Sequence, residues 1–309
     1  MKGRKIKVIV IVPLEKFECA RQEIELSEDL RIREILDKER KLIRESDRML
    51  PAPVFLHGAI ETLKYGLETS YETKTEALVE GPPPSLNEEI SRAVSALRLY
   101  KAGKVGCNII LVSSEKPLID FCGGLPNISF PMFGREYVLT EVEIEEFKKF
   151  WNIFKTINTT KEGLEFLGAA TRRFNYAYER QKGEDELIDH MISFESLFLE
   201  GGQELGYRMS LRTALMLAQK GDEQKCIFSN MRTAYKLRCM IVHGEDPKEI
   251  HETVKEKFGS FKTLSERTED YLRKSIKAFY KKASKEHIVK KWKNKTLHNL
   301  DEGVFDKNY

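Results

Sequence analysis

From Thr140 to Ala283 the apolar residues recur at three- and four-residue spacing in seven successive segments punctuated by glycine and proline. That periodicity predicts helices with one apolar face each through this half of the chain. Thr140 and Glu143 form a capping box before a face of Ile144, Phe147, Phe150, Trp151 and Phe154. Thr159 and Glu162 form another, predicting a helix to about Arg180, with Gly183 as its breaker. Glu184–Glu200 carries the stripe Leu187, Met191, Phe194, Leu197 and Phe198 before Gly201-Gly202 interrupts. Helices are predicted next over Leu205–Gln219 and from about Asp222 to His243, the latter closed by Gly244. Pro247 begins a short one, and Leu264–Ala283 is the last long one. Short connections imply antiparallel neighbours, hence an all-α bundle.

Residues 1–139 mix periods. Lys5–Leu14 and Cys107–Ser114 read as strands, and Phe130–Leu139 as a weaker strand or hairpin. Leu26–Leu50 reads as an exposed amphipathic helix, with Leu30, Ile32, Ile35, Leu36, Leu42 and Ile43 among alternating charges. Ser85 and Glu88 form a capping box for a helix to about Tyr100. The expected fold class is α+β overall: an α/β or α+β domain over 1–139, then a helical domain over 140–309. A length of 309 residues suits two domains at ~150 residues each. Forty-one per cent hydrophobic residues suffice for a core, which excludes collagen-like, disordered and disulfide-scaffold classes. The apolar run Val8–Leu14 falls far short of the ~20 residues that span a bilayer, so no stable membrane insertion is expected. Five scattered cysteines without a Cys-x-x-Cys pair argue for a reducing cytoplasm and against structural zinc.

No histidine pair has metal-ligand spacing, so neither metal nor cofactor is expected. His57, His251, His287 and His298 read as surface or loop residues, and His190 as a core or boundary residue. His243 differs, because it ends a helix just before Gly244, in the last turn where the helix dipole favours a positive imidazolium. Such a group can take and give protons. Arg238 lies five positions earlier, about 140° away around a regular helix. Two readings stay open at this point. His243 and Arg238 are a catalytic pair, or His243 bonds the final carbonyls while Arg238 pairs with an acidic neighbouring helix.

Several stretches occur in an order that resembles a known superfamily. They are Arg173–Arg180 (RFNYAYER), Leu187–Phe198 with Phe194-Glu-Ser-Leu197, and Leu205–Leu215 (LGYRMSLRTAL). Tyr235-Lys-Leu-Arg238 with Ile241-Val-His-Gly244 follows, and Thr268–Ser275 (TEDYLRKS) closes the series. Residues from about Thr140 to Phe279 resemble the HEPN superfamily, in its Apea-like branch. The resemblance implies metal-independent RNA cleavage by a homodimer formed through the helical domain, in a defence or toxin–antitoxin context. His243 would be general base and acid on the ribose 2′-hydroxyl and the leaving 5′-oxygen, and Arg238 would hold the scissile phosphate. A regulatory partner or ligand is then expected at the N-terminal domain. Where the family often has a small polar or amide residue after the motif arginine, this chain has Cys239, a weak donor. The alternative is a noncatalytic module for dimerisation and for RNA or protein binding.

The net charge of +3 conceals a cancellation. Residues 184–204 hold seven acidic and no basic side chains, whereas 207–240 hold seven basic and two acidic. Residues 273–295 hold ten basic and one acidic, with Trp292 amid Lys290, Lys291, Lys293 and Lys295. Basic stretches with an aromatic residue can bind phosphates and stack a base, and equally can be a solvated face or a membrane-surface segment. The candidate substrate-binding residues are Tyr235, Arg212, Lys290, Lys291 and Lys293, with RNA as partner.

Overall fold

The structure is a computed structural model that describes residues 5–49, 60–74, 82–114, 120–124, 135–219 and 221–303, the side chains of 46–49 and 120–124 excepted. His57 and the segment 130–134 lie outside the described residues. The chain divides into two compact units, Met1–Asn152 and Ile153–Tyr309.

In the first unit the β-branched run of β1 (Lys5–Leu14) is flanked on both sides. The sheet also contains β3 (Glu23–Glu25), β4 (Leu30–Glu34), β5 (Tyr65–Lys74), β6 (Ile109–Ser114) and β7 (Asp120–Gly124), in the order β3-β4-β5-β1-β6-β7. Every pairing in it is antiparallel, so the N-terminal unit is α+β. A separate parallel pair joins β2 (Phe17–Cys19) to β8 (Tyr137–Leu139). Both faces of β1 are used. Ile11 joins Ile35, Ile43, Leu63 and Leu111 in one cluster, while Val8, Val10, Val12 and Leu14 are buried on the other face.

Leu26–Leu50 is not one helix: Leu30–Glu34 is a strand, and helix α1 occupies only Asp37–Met49. Buried Leu30 and Ile32 alternate with Arg31 and Arg33, which reach across to Glu68 on β5. The charges of Arg31 and Arg33 are therefore cross-strand partners, and a helical polar face is confined to α1. Helix α2 (Pro84–Tyr100) ends as expected but starts differently. Its N-cap is Pro83, with no side-chain cap, and Pro84 supplies the preset φ of a first helical residue, so Ser85 and Glu88 form no box.

Helix α3 (Glu141–Thr156) does open on the Thr140–Glu143 pair, with Glu143 Oε2 accepting from the Thr140 N–H at 3.0 Å. Its aromatic face belongs largely to the first unit. Trp151 Nε1 donates to Leu26 O at 3.0 Å, and the Tyr100 ring meets Phe147 at 5.5 Å. The division between units consequently falls within α3, not at residues 139/140.

The second unit continues through α4 (Glu165–Ala177), α5 (Gly183–Phe198), α6 (Leu205–Leu217) and α7 (Asp222–His243). It closes with α8 (Pro247–Phe258), α9 (Phe261–Ala283) and α10 (Trp292–Asp301). Thr159 and Glu162 cap nothing. Asn158 Oδ1 instead accepts from the Thr160 N–H and hydroxyl, and the chain turns before α4. Gly183 is the first residue of α5 rather than a breaker. The predicted stripe of α5 is wholly buried. Its Phe194 and Phe198 stack at 6.3 Å, and Phe198 meets Phe279 of α9.

Several buried polar groups inside the bundle are paired, as burial demands. Asp189 accepts from Arg173 at 3.0 Å and from Arg180 at 2.6 Å. Tyr178 donates to Glu269, which Arg273 also engages. His190 Nδ1 lies 3.0 Å from Thr268 Oγ1, a core position. Among the described residues no helix is long and apolar enough to cross a membrane.

Candidate functional site

Helix α7 carries the residues singled out by the sequence. It runs regularly to His243 and ends in a Schellman motif: Glu245 N–H bonds Met240 O at 3.0 Å, Gly244 N–H bonds Ile241 O at 3.2 Å, and Gly244 has φ 71°. The carbonyls of Met240 and Ile241 are thus met by backbone donors. His243 stands exposed at this end. Ile227, Met231, Ala234, Leu237 and Met240 form the buried face, which leaves Tyr235, Cys239 and His243, at four-residue spacing, along another face.

Beside that face runs an open groove of about 780 Å³. Residues 202–207 line one side, and Arg232, Tyr235, Lys236 and Cys239 line the other. His243 lies one helical turn, ~6 Å, beyond Cys239 on the same face. Tyr235 is half-buried because α6 offers it a glycine: a Cβ at Gly206 would lie 2.4 Å from Tyr235 Cδ1. Burial raises the Tyr235 phenol above its usual pKa, with Cys239 and Glu195 adding to the shift and Arg238 opposing it.

Arg238 points elsewhere. Its Nη2 lies 3.6 Å from Glu195 Oε1 on α5, and its buried Nε has no hydrogen-bond partner. In one chain, then, Arg238 turns to α5 while His243 faces solvent, as the angular separation on a regular helix requires. Sequence reasoning did not single out Glu195. The signal for it was the acidic character of 184–204 facing the basic 207–240 segment.

The other predicted residues are dispersed. Arg212 is buried, donating through Nε and Nη2 to the Asp301 carboxylate at 2.8 and 2.6 Å, and through Nη1 to Phe198 O. Lys293 donates to Leu199 O and lies over the Phe166 ring at 5.2 Å. Burial lowers its pKa to about 8, Glu200 opposing and Arg212 reinforcing the shift. Lys290 is exposed and pairs with Glu162 at 2.9 Å, and Lys291 is exposed just before α10. Trp292 is no stacking platform. It is 1% exposed, held against Phe166 and Phe279, with Nε1 donating to Glu286 at 2.9 Å.

Among the described residues no group of three or more His, Cys, Asp or Glu is placed to hold a metal ion. Compared with known proteins, the chain matches no family model, no curated protein and no solved structure.

Proposed function

We propose that the helical unit is a metal-independent endoribonuclease of the HEPN type, acting as a homodimer. The observation that carries this reading is the exposed imidazole of His243, at the end of a helix face that lines an open groove with Arg232, Tyr235 and Lys236. Cations along the groove attract the phosphate backbone. Tyr235 offers an aromatic edge to a base.

In the reaction, His243 takes the proton of a ribose 2′-hydroxyl as the 2′-oxygen attacks the adjacent phosphorus. An imidazolium then gives a proton to the departing 5′-oxygen. The products are a 2′,3′-cyclic phosphate and a 5′-hydroxyl end. Arg238 neutralises charge on the phosphate oxygens in exchange for Glu195, whose 3.6 Å ion pair holds the guanidinium ready. Because Arg238 and His243 diverge within one chain, a second copy supplies the complementary group.

Incubation of RNA with the protein in EDTA, with end-group analysis of fragments, tests the reading. Wild type yields cyclic phosphates, while His243→Ala and Arg238→Ala yield none. Toxicity on expression, relieved by His243→Ala, is the corresponding readout for a defence or toxin role with a regulatory partner at the N-terminal unit. Equal cleavage by all three proteins rules the site out.

The second reading is a noncatalytic RNA-binding dimer. The Arg238–Glu195 pair and the weak donor Cys239 favour it. Salt-sensitive RNA binding without turnover, unchanged in His243→Ala, selects this second reading.

A further inference from the structure

One side of the groove is the α5–α6 connection, and it has little structure of its own. Gly201, Gly202 and Glu204 all have left-handed φ, at 88°, 96° and 55°. For Glu204 that conformation is sterically disfavoured and persists only where the surroundings enforce it. Glu204 also caps α6 without any side-chain hydrogen bond. The enforcing contacts come from two directions. Arg208 Nη1 holds Gly201 O at 2.8 Å from within α6. At the root of the loop, Phe198 O and Leu199 O are carbonyls left over at the end of α5, and each receives a cation: Arg212 Nη1 and Lys293 Nζ respectively.

Both cations depend on α10. Lys293 lies on it, and Arg212 is fastened to it by the bidentate pair with Asp301. The helix is seated at both ends, by buried Trp292 at its start and by the Arg212–Asp301 pair at its finish, with Leu297 and Leu300 buried between. Asp301 is itself 39% exposed, so the clasp is the accessible part of an otherwise buried assembly.

We infer that α10 is a clamp for the groove: Arg212, Lys293 and Asp301 are positioning residues that hold the 199–204 rim in its nucleic-acid-binding shape. The clamp's effect on ligand rests on reading the groove as an RNA site, whereas its effect on the rim does not. Opening the clasp frees Arg212, lets the rim relax from its left-handed turns, and weakens RNA binding without contact between α10 and the RNA.

The test uses the full chain with Asp301→Asn, Asp301→Glu and Lys293→Met. Amide exchange of residues 200–206 is measured together with single-stranded RNA affinity. In Asp301→Asn and Lys293→Met, exchange in the rim rises about tenfold or more while the bundle core keeps its protection. RNA affinity falls in step, and Asp301→Glu restores both. Unchanged rim exchange in both disrupted variants overturns the clamp, whatever the protein does with RNA. Faster rim exchange with unchanged RNA affinity overturns the positioning role. A wild-type protein that binds no RNA counts against the RNA reading of the groove and the positioning role tied to it, and leaves the exchange result to decide the clamp.

Discussion

Glu15 shows how much one side chain can couple a fold to pH. It is 5% exposed, its Oε1 has no hydrogen-bond partner, and burial raises its pKa to about 8 against the partial opposition of Lys16. The folded carboxyl holds its proton where the unfolded one, near 4.5, has lost it. Stability therefore falls as pH rises from 4.5 to 8, and no further above that. In Glu15→Gln this slope disappears: urea midpoints match wild type near pH 4 and exceed it at pH 8. A variant with the wild-type slope contradicts the assignment. Gly206 makes a second test at this scale. In Gly206→Ala the new methyl displaces Tyr235, and about 1–3 kcal/mol of stability is lost to overpacking. If Tyr235 serves the groove, RNA affinity drops as well, whereas equal affinity in a folded Gly206→Ala removes Tyr235 from the site. Neither feature was legible in the sequence. A glutamate after an apolar strand and a glycine inside a helical pattern carry no mark of what they will be packed against.

The elements were legible to different degrees, for reasons that can be named. Helix α7 is signalled by local information, namely its apolar spacing and a glycine that can adopt φ 71°. The Thr140–Glu143 cap is equally local and forms. Thr159–Glu162 has the same residue pattern but forms no cap, because Asn158 captures Thr160 first and the chain turns. Helix α10 shows the opposite case. Lysines surround Trp292 in sequence and suggest an exposed segment, yet Phe166 and Phe279, distant in the chain, enclose its ring. Trp292→Ala accordingly costs about 3–5 kcal/mol in denaturant unfolding, a loss that an exposed stacking residue would not give. The Lys293 pKa near 8, against 10.5 for the free group, has its own consequence. The folded state has shed a proton that the unfolded chain keeps, so this group makes stability rise as pH climbs from about 8 towards 10.5. Lys293→Met flattens that rise.

At the scale of the molecule, the two compact units set how perturbations combine. Glu15 lies in one and Trp292 in the other. Their effects in the double variant Glu15→Gln/Trp292→Ala add to within ~0.5 kcal/mol, since the residues share no partners. A larger coupling energy at pH 8 contradicts the independence of the two sites. The charge distribution acts at this scale too. Part of the lysine excess is consumed internally, by Lys293 on Leu199 O, Lys282 on Glu286 and Lys290 on Glu162. Under the proposed RNA reading, the groove cations Arg232 and Lys236 are the pair that meets the phosphates. Neutralising both reduces the steepness of log affinity against log salt by about 1–2, and an unaltered slope locates binding elsewhere.

By itself the sequence determined the strand of Lys5–Leu14, the helical character after Thr140 and the end of α7 at Gly244. Each follows from periodicity or from a conformational preference within a few residues. Only the tertiary structure decided that Leu30–Glu34 pairs as a strand, that α3 divides between the two units, and that Trp292 and Lys293 face inward. It alone set Arg212 on Asp301 and Arg238 against Glu195. Those outcomes depend on which side chains from distant segments share a dry interior, where a charge must find a partner or shift its pKa. Local pattern specifies which face of an element is apolar, but the choice of what meets that face is made by packing.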